Sequence, residues 1–166
     1  MDQQIFITIH SFAGKNQVLD ALGIFFAVYL VYILPLFLVL LFWRKYNKHL
    51  WLALFTSLIA RLGVEVVKRL VNRPRPFEAL QTNPLVVDFA GHGMSFSSGH
   101  TVILFSIAFS FYGTKYFGLL LVLAALGSMA RIFVGVHYPL DIVASILIAA
   151  VVVGVGRGLF KNHFLS

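Results

Sequence analysis

Three short groups of residues sit where an apolar chain should not carry them. Lys68, Arg75 and Pro76 close one apolar run; Ser98, Gly99 and His100 open the next; and Arg131, His137 and Asp141 surround a later turn. Ionisable side chains in or beside a membrane span are costly and usually functional. Lys68, Arg75 and Arg131 offer three cations, two of them planar forks suited to phosphate oxygens. Ser98-Gly99-His100 reads as a helix start, whose free N–H groups and positive dipole end favour an anion, and Gly99 allows close backbone approach. His137 and Asp141 are four apart and share a helical face. A carboxylate there would keep one imidazole nitrogen protonated and leave the other free to attack. His100, across the anion, would act as general acid. Two histidines, one oriented by an aspartate, with three cations and a helix N-terminus, suit phosphoryl transfer without a metal.

The elements that must position these groups are apolar helices. Of 166 residues, 60% are apolar and 11% charged, and the mean hydropathy is +0.90. Soluble domains average about 45–50% apolar and about 25% charged, so the composition excludes a disordered chain, a basic nucleic-acid-binding domain and an ordinary cytosolic enzyme. The fold class is all-α, a membrane bundle of about five transmembrane helices with an N-terminal amphipathic helix. The expected surface helix is 2–12, with Ile5, Phe6, Ile9 and Phe12 on one face. Spans are expected at about 18–43, 50–71, 99–113, 116–136 and 139–160, with a loop at 72–97, all in one domain of residues 1–166. There are no cysteines, so thiolate metal sites and disulfides are absent. The start is acidic and does not read as a cleaved signal peptide.

Five spans, with the basic connector Arg44, Lys45, Lys48 placed inside, also put Lys115, Arg157 and Lys161 inside, as the positive-inside rule requires. Lys68, Arg69, Arg73, Arg75 and Arg131 then lie toward the outer face, which topology alone does not explain. That clustering points to an anionic ligand. From His100 to His137 the chain enters and returns in about 37 residues. At 1.5 Å per residue each leg covers ~24–27 Å of a ~30 Å hydrocarbon core, so the histidines should sit slightly below the outer interface, within reach of a lipid headgroup.

These residues resemble the motifs of the type 2 phosphatidic acid phosphatase (PAP2) superfamily. The stretch Lys68-RLVNRP-Arg75-Pro76 is similar to the first motif, and Ser97-Ser98-Gly99-His100 to the second, with Ser97 where the family has proline. Ala130-Arg131-IFVGV-His137-YPL-Asp141 is similar to the third, with Ala130 where the family has serine. The N-terminal IHSFAGKNQVLD also looks like the start of small bacterial undecaprenyl-diphosphate phosphatases of that superfamily. The resemblance implies His137 as the nucleophile, Asp141 as its orienting group and His100 as the acid that later activates water. It implies Lys68, Arg75, Ser98, Gly99 and Arg131 as phosphate ligands, and no metal or other cofactor. The substrate would be undecaprenyl diphosphate in the plasma membrane, split at the outer face, with membrane lipids as further partners and no nucleic acid. Phosphatidylglycerol phosphate or phosphatidate is the alternative substrate.

Structural alternatives exist for several residues. Lys68, Arg69 and Arg73 could be a snorkelling interfacial anchor; the motif spacing selects Lys68 and Arg75 and leaves Arg69 and Arg73 unassigned, although Arg73 beside Arg75 is compatible with a diphosphate. Glu65 reads first as an intramembrane ion-pair partner, and second as a group that positions Lys68. His10 and His49 read as interfacial, His92 as an exposed loop histidine, Pro35 as a kink, and Gly127, Ser128 and Ala130 as small residues for close helix packing. A non-catalytic lipid-binding or transport protein is the alternative from another class. A metal-dependent hydrolase is disfavoured by the lack of a carboxylate cluster.

Overall fold

The computed structural model describes residues 1–86 and 93–164, with side chains through Leu159; His92 lies outside the described residues. The described elements are helices, apart from one isolated antiparallel bridge between Pro74 and Met94. They run α1 (Asp2–His10), α2 (Gln17–Ile24), a π-helical turn (Phe25–Tyr29), α3 (Leu30–Val71), α4 (Pro76–Ala79), α5 (Gly99–Ser110), α6 (Phe117–Phe133) and α7 (Pro139–Phe164).

Asn16 starts α2 by accepting from the backbone N–H groups of Val18 and Leu19 at 2.9 and 3.1 Å, which satisfies two of the orphan donors of a helix start. From Gln17 the helix continues to Val71, a stretch of 55 residues. At 1.5 Å per residue that is ~80 Å, more than twice a ~30 Å hydrocarbon core, so it has to fold back. The break is at Tyr46, whose φ of −124° and ψ of 27° are non-helical. Tyr46 lies within the basic connector expected between the first two spans, and Pro35 lies inside α3. The two limbs meet along their length: Trp43 and Trp51 lie 5.9 Å apart by ring centroids, and both limbs line one pocket with α5.

Gln17–Val71 and Pro139–Leu159 are long and apolar enough to cross a membrane; α5 and α6 are apolar and shorter. Where the sequence suggested 99–113, α5 holds 12 residues, only ~18 Å of rise. The apolar core forms where α3, α5, α6 and α7 converge, on residues such as Leu34, Val64, Val102, Ala108, Ala124 and Ala149. Gly127 allows a close approach in this core: a Cβ there would come within 2.6 Å of Leu104 and 3.1 Å of Leu30.

The two ends of the bundle differ. At one end, His49 Nδ1 lies 2.8 Å from the Ser110 carbonyl, and Arg157 donates to the Ser110 and Tyr112 carbonyls at 3.1 and 2.8 Å. These groups cap the C-terminus of α5, so His49 is a structural residue rather than a merely interfacial one. This is the end that carries the Tyr46 kink and Lys115. The polar clusters singled out in the sequence gather at the other end.

The N-terminal helix is clamped onto that second end. Its inward residues are Asp2, Phe6, Ile9 and His10, spaced as one helical face, while Ile5, Ile7 and Phe12 are exposed. Phe6 is fully buried, 5.2 Å from the His10 ring and 5.5 Å from the Tyr138 ring. His10 Nδ1 lies 2.8 Å from the Phe133 carbonyl. The face expected from hydropathy, Ile5, Phe6, Ile9 and Phe12, is thus divided, and only Phe6 and Ile9 turn inward.

Candidate active site

The chain delivers each group to the site by a local device. Asn72 ends α3 in the left-handed conformation, φ 47° and ψ 42°, and its N–H bonds the Lys68 carbonyl at 2.9 Å. Asparagine tolerates that conformation at a helix end, and it leaves Lys68 in the final turn. The two prolines that follow hold their preceding residues extended. Arg75, at φ −70° and ψ 154°, becomes the N-cap of α4 with Pro76 at its first turn, and Glu78 accepts from the Arg75 N–H at 3.4 Å. Ser95 N–H donates to the Arg73 carbonyl at 2.8 Å, and Leu85 N–H to the Val134 carbonyl at 3.0 Å. These bonds tie the described parts of the long loop to the α3 end and to the α6–α7 turn.

Ser98 caps α5, accepting from Thr101 N–H at 3.4 Å and sharing a 3.1 Å bond with its hydroxyl. Ser98 N–H donates to Ser145 Oγ at 2.8 Å, and that hydroxyl donates to the Asp141 carbonyl at 2.6 Å. The start of α5 and the first turn of α7 are therefore fixed to one another. His100 follows on α5, its ring edge-on to Tyr32 of the first limb at 6.3 Å. Gly99 lies beside Arg61: a Cβ there would come within 2.8 Å of Arg61 Nε, and the flexible arginine would have to shift.

Arg131 is completely buried, and its Nη1 donates to the Ala27 carbonyl at 3.1 Å. Ala27 lies in the π-helical turn. A π-turn disturbs the regular i to i+4 ladder, and here it presents a carbonyl that orients the arginine fork. Nothing in the sequence signalled this turn. Gly135, at φ +94°, sets the direction of the turn that follows; a Cβ there would also meet His10 at 2.8 Å and Pro84 at 3.2 Å.

His137 and Asp141 are buried side by side, with Nδ1 3.4 Å from Oδ2. The pair is loose, as catalytic contacts often are before a substrate tightens them. Asp141 is held from two further sides: the Tyr138 N–H donates to Oδ2 at 2.8 Å and Arg73 Nη1 to Oδ1 at 3.0 Å. Since Asp141 faces Nδ1, the nitrogen left for chemistry on His137 is Nε2. Burial pushes the His137 imidazole down to about 4; the Asp141 hydrogen bond opposes this, while Arg131 and then Arg75 reinforce it. His137 is thus neutral at pH 7, the form that can act as nucleophile, and both arginines are close enough for their charges to be felt there.

Lys68 Nζ lies 3.9 Å from Glu65, which also pairs with Arg61. Glu65 therefore sits between two cations, in agreement with its reading as an ion-pair partner. Arg61 was not singled out as a site residue, yet it touches Gly99 and lines an apolar pocket of about 340 Å³. That pocket lies between the two limbs of the long hairpin and α5. It runs from Trp43 and Trp51 near the kink to Arg61 at the site end, and is open where Val39, Leu54 and Leu58 are exposed.

Arg73, left unassigned in the sequence, spends its fork on two carboxylates, Asp141 at 3.0 Å and Asp2 at 2.5 Å. Both terminal nitrogens of its fork are thus engaged by carboxylates. The two departures from the motif pattern are both buried: Ala130 joins an apolar cluster with Ala27, Val134 and Val136, and the Ser97 hydroxyl makes no hydrogen bond.

The architecture and sequence also match known proteins. A B. subtilis (strain 168) protein, undecaprenyl-diphosphatase BcrC, is 34% identical over 158 residues, 92% of this chain and 80% of that one. A Bacillus licheniformis protein, bacitracin transport permease protein BcrC, is 30% identical over 84% of this chain and 71% of that one. The crystal structure of Aquifex aeolicus LpxE superposes with a TM-score of 0.78 at 27% identity, covering 95% of this chain and 94% of that one. The sequence profile of the PAP2 superfamily matches residues 49–164, a span that contains every motif residue described above. The chain belongs to the PAP2 superfamily.

Proposed function

We propose that this protein is a membrane lipid phosphatase that converts undecaprenyl diphosphate to undecaprenyl phosphate and inorganic phosphate through a phosphohistidine on His137. The observation that carries the proposal is the buried, neutral His137, held by Asp141 and facing the charges of Arg131 and Arg75. In the first step Nε2 of His137 forms a bond to the terminal phosphorus as the bond to the bridging oxygen breaks. His100 gives that oxygen its proton, and Asp141 stabilises the imidazolium. In the second step water attacks the phosphorus, His100 takes the water's proton, and the N–P bond breaks to release phosphate. Lys68, Arg75, Arg131 and the N-terminus of α5 at Ser98 and Gly99 hold the equatorial oxygens, where charge accumulates.

The choice of lipid rests on the name of the B. subtilis relative and on the apolar pocket, which suits a hydrocarbon chain ending beside Arg61. Phosphatidylglycerol phosphate and phosphatidate are the alternative substrates, since the phosphate chemistry is common to all three. A transport or binding role without catalysis has the printed name of the B. licheniformis relative in its favour. The site faces the extracytoplasmic side of the plasma membrane, because the Arg44, Lys45, Lys48 connector and Lys115 lie at the opposite end and belong inside. The chemistry needs no metal.

The test is phosphate release by the purified protein in detergent with excess EDTA, offered a polyprenyl diphosphate, phosphatidylglycerol phosphate and phosphatidate. Release that survives EDTA, favours the diphosphate and is lost in His137→Ala is the expected result. A folded protein that releases phosphate from none of them is a binder or transporter.

A further inference from the structure

We infer that Arg73 and Asp2 are positioning residues for the nucleophile, and that the N-terminal helix completes the active site through them. This rests on the reading of His137 as nucleophile given above. Arg73 stands in the turn after α3, and Asp2 in the first turn of α1, yet both reach the His137 turn. One nitrogen of the Arg73 fork donates to Asp141 Oδ1 at 3.0 Å and the other to Asp2 Oδ2 at 2.5 Å. The second oxygen of Asp2 accepts from Leu140 N–H at 2.9 Å. The Arg73 guanidinium lies 3.8 Å from the centre of the Tyr138 ring, a cation–π contact that fixes the plane of the fork. Asp2 thus holds Arg73, Arg73 holds one oxygen of Asp141, and the other oxygen is turned toward His137.

The geometry separates this role from the two simpler ones. As a substrate cation, Arg73 would have to give up two carboxylates. As a surface staple, it would not be expected to reach an aspartate that is completely buried. Its side chain is only about a quarter exposed and that of Asp2 less, so solvent screens the chain of contacts weakly. The rest of α1 is built to keep Asp2 in place: Phe6 is buried against Tyr138, and His10 holds the Phe133 carbonyl. Lysine could replace Arg73 only in part, because a single ammonium does not present two parallel donors to two carboxylates.

The experiment compares Asp2→Asn, Arg73→Gln, Arg73→Lys and the Asp2→Asn/Arg73→Gln double variant with the full-length wild type in detergent. Two readouts are taken: steady-state phosphate release, and 15N shifts of histidine-labelled protein, which report the His137 tautomer. The expected result is a fall in kcat on the order of 10-fold to 100-fold for Arg73→Gln, as outer partners of a working imidazole commonly contribute. KM stays within about twofold, Asp2→Asn shows a smaller fall, Arg73→Lys recovers part of the loss, and the double variant is no worse than Arg73→Gln. The His137 shifts move from a fixed Nδ1–H tautomer to a mixture in Asp2→Asn and in Arg73→Gln. A rise in KM at unchanged kcat would make Arg73 a substrate ligand and overturn the inference. An unchanged tautomer, or additive losses, would overturn it too. Should the wild type release phosphate from no lipid, the functional reading fails, and the tautomer readout still decides this one.

Discussion

Acid should destabilise this protein through one identifiable group. His137 is neutral in the folded state, with its titration pushed from 6.5 to about 4 chiefly by burial. Between those values the unfolded chain binds a proton that the folded chain refuses. Stability is therefore fully present above pH 6.5 and is lost as pH falls toward 4. A difference of about 2.5 units, at 1.36 kcal/mol each, makes the total loss about 3 kcal/mol. Most of it has occurred by pH 4.5. For a chain of this size about 1 kcal/mol moves Tm by roughly 2–4 °C, so His137 alone should lower Tm by roughly 5–10 °C between pH 7 and 4.5. The assay is thermal unfolding in detergent at both pH values, for the wild type and His137→Gln. Glutamine removes the titrating imidazole while keeping a polar side chain that can still donate to Asp141, and the groups away from this pair are common to both proteins. The wild type should lose more than the variant by that margin. Equal losses in the two proteins would refute the reasoning, since the acid sensitivity would then belong to other groups.

Two further outcomes follow from the same geometry. Asp141→Asn keeps the volume but removes the charge that Arg73, the Tyr138 N–H and the His137 imidazolium share; kcat should fall on the order of 10³- to 10⁴-fold, as when a triad aspartate is neutralised, with the helical circular dichroism retained. Gly135→Ala puts a Cβ at a φ of +94° and within 2.8 Å of His10. It should cost about 1–3 kcal/mol in stability and displace the His137 turn, seen as a lowered Tm together with a lowered kcat.

The polar residues of the candidate site were legible in the sequence because an apolar chain makes each of them conspicuous. Lys68, Arg75, Ser98, Arg131, His137 and Asp141 stood out against their neighbours, and the alternation of spans already placed them at one end. Their supports were not legible. The partners Asp2 and Arg73 are 71 residues apart, and charge alone does not say which carboxylate an arginine will choose. The π-turn that orients Arg131 leaves no compositional trace, because Phe25–Tyr29 reads as ordinary apolar helix. The reversal at Tyr46 was legible, because the basic residues of the connector interrupt the apolar run there, and Pro35 lies inside α3. The role of α1 was half visible. Its apolar residues pointed to a surface helix, whereas the face that turns inward is marked by Asp2 and His10 as much as by Phe6.

The most direct test of the central claim is to look for the phosphohistidine itself. His100→Ala should slow breakdown of the intermediate more than its formation, because a lipid phosphate is a good leaving group without full protonation whereas the attacking water needs the group that takes its proton. This variant, mixed with a polyprenyl diphosphate and quenched in alkali, should yield a peptide phosphorylated on His137 by mass spectrometry, and His137→Gln treated in the same way should yield none. Phosphate release by the wild type with no phosphorylated His137 under any quench, or wild-type turnover by His137→Gln, would contradict the account.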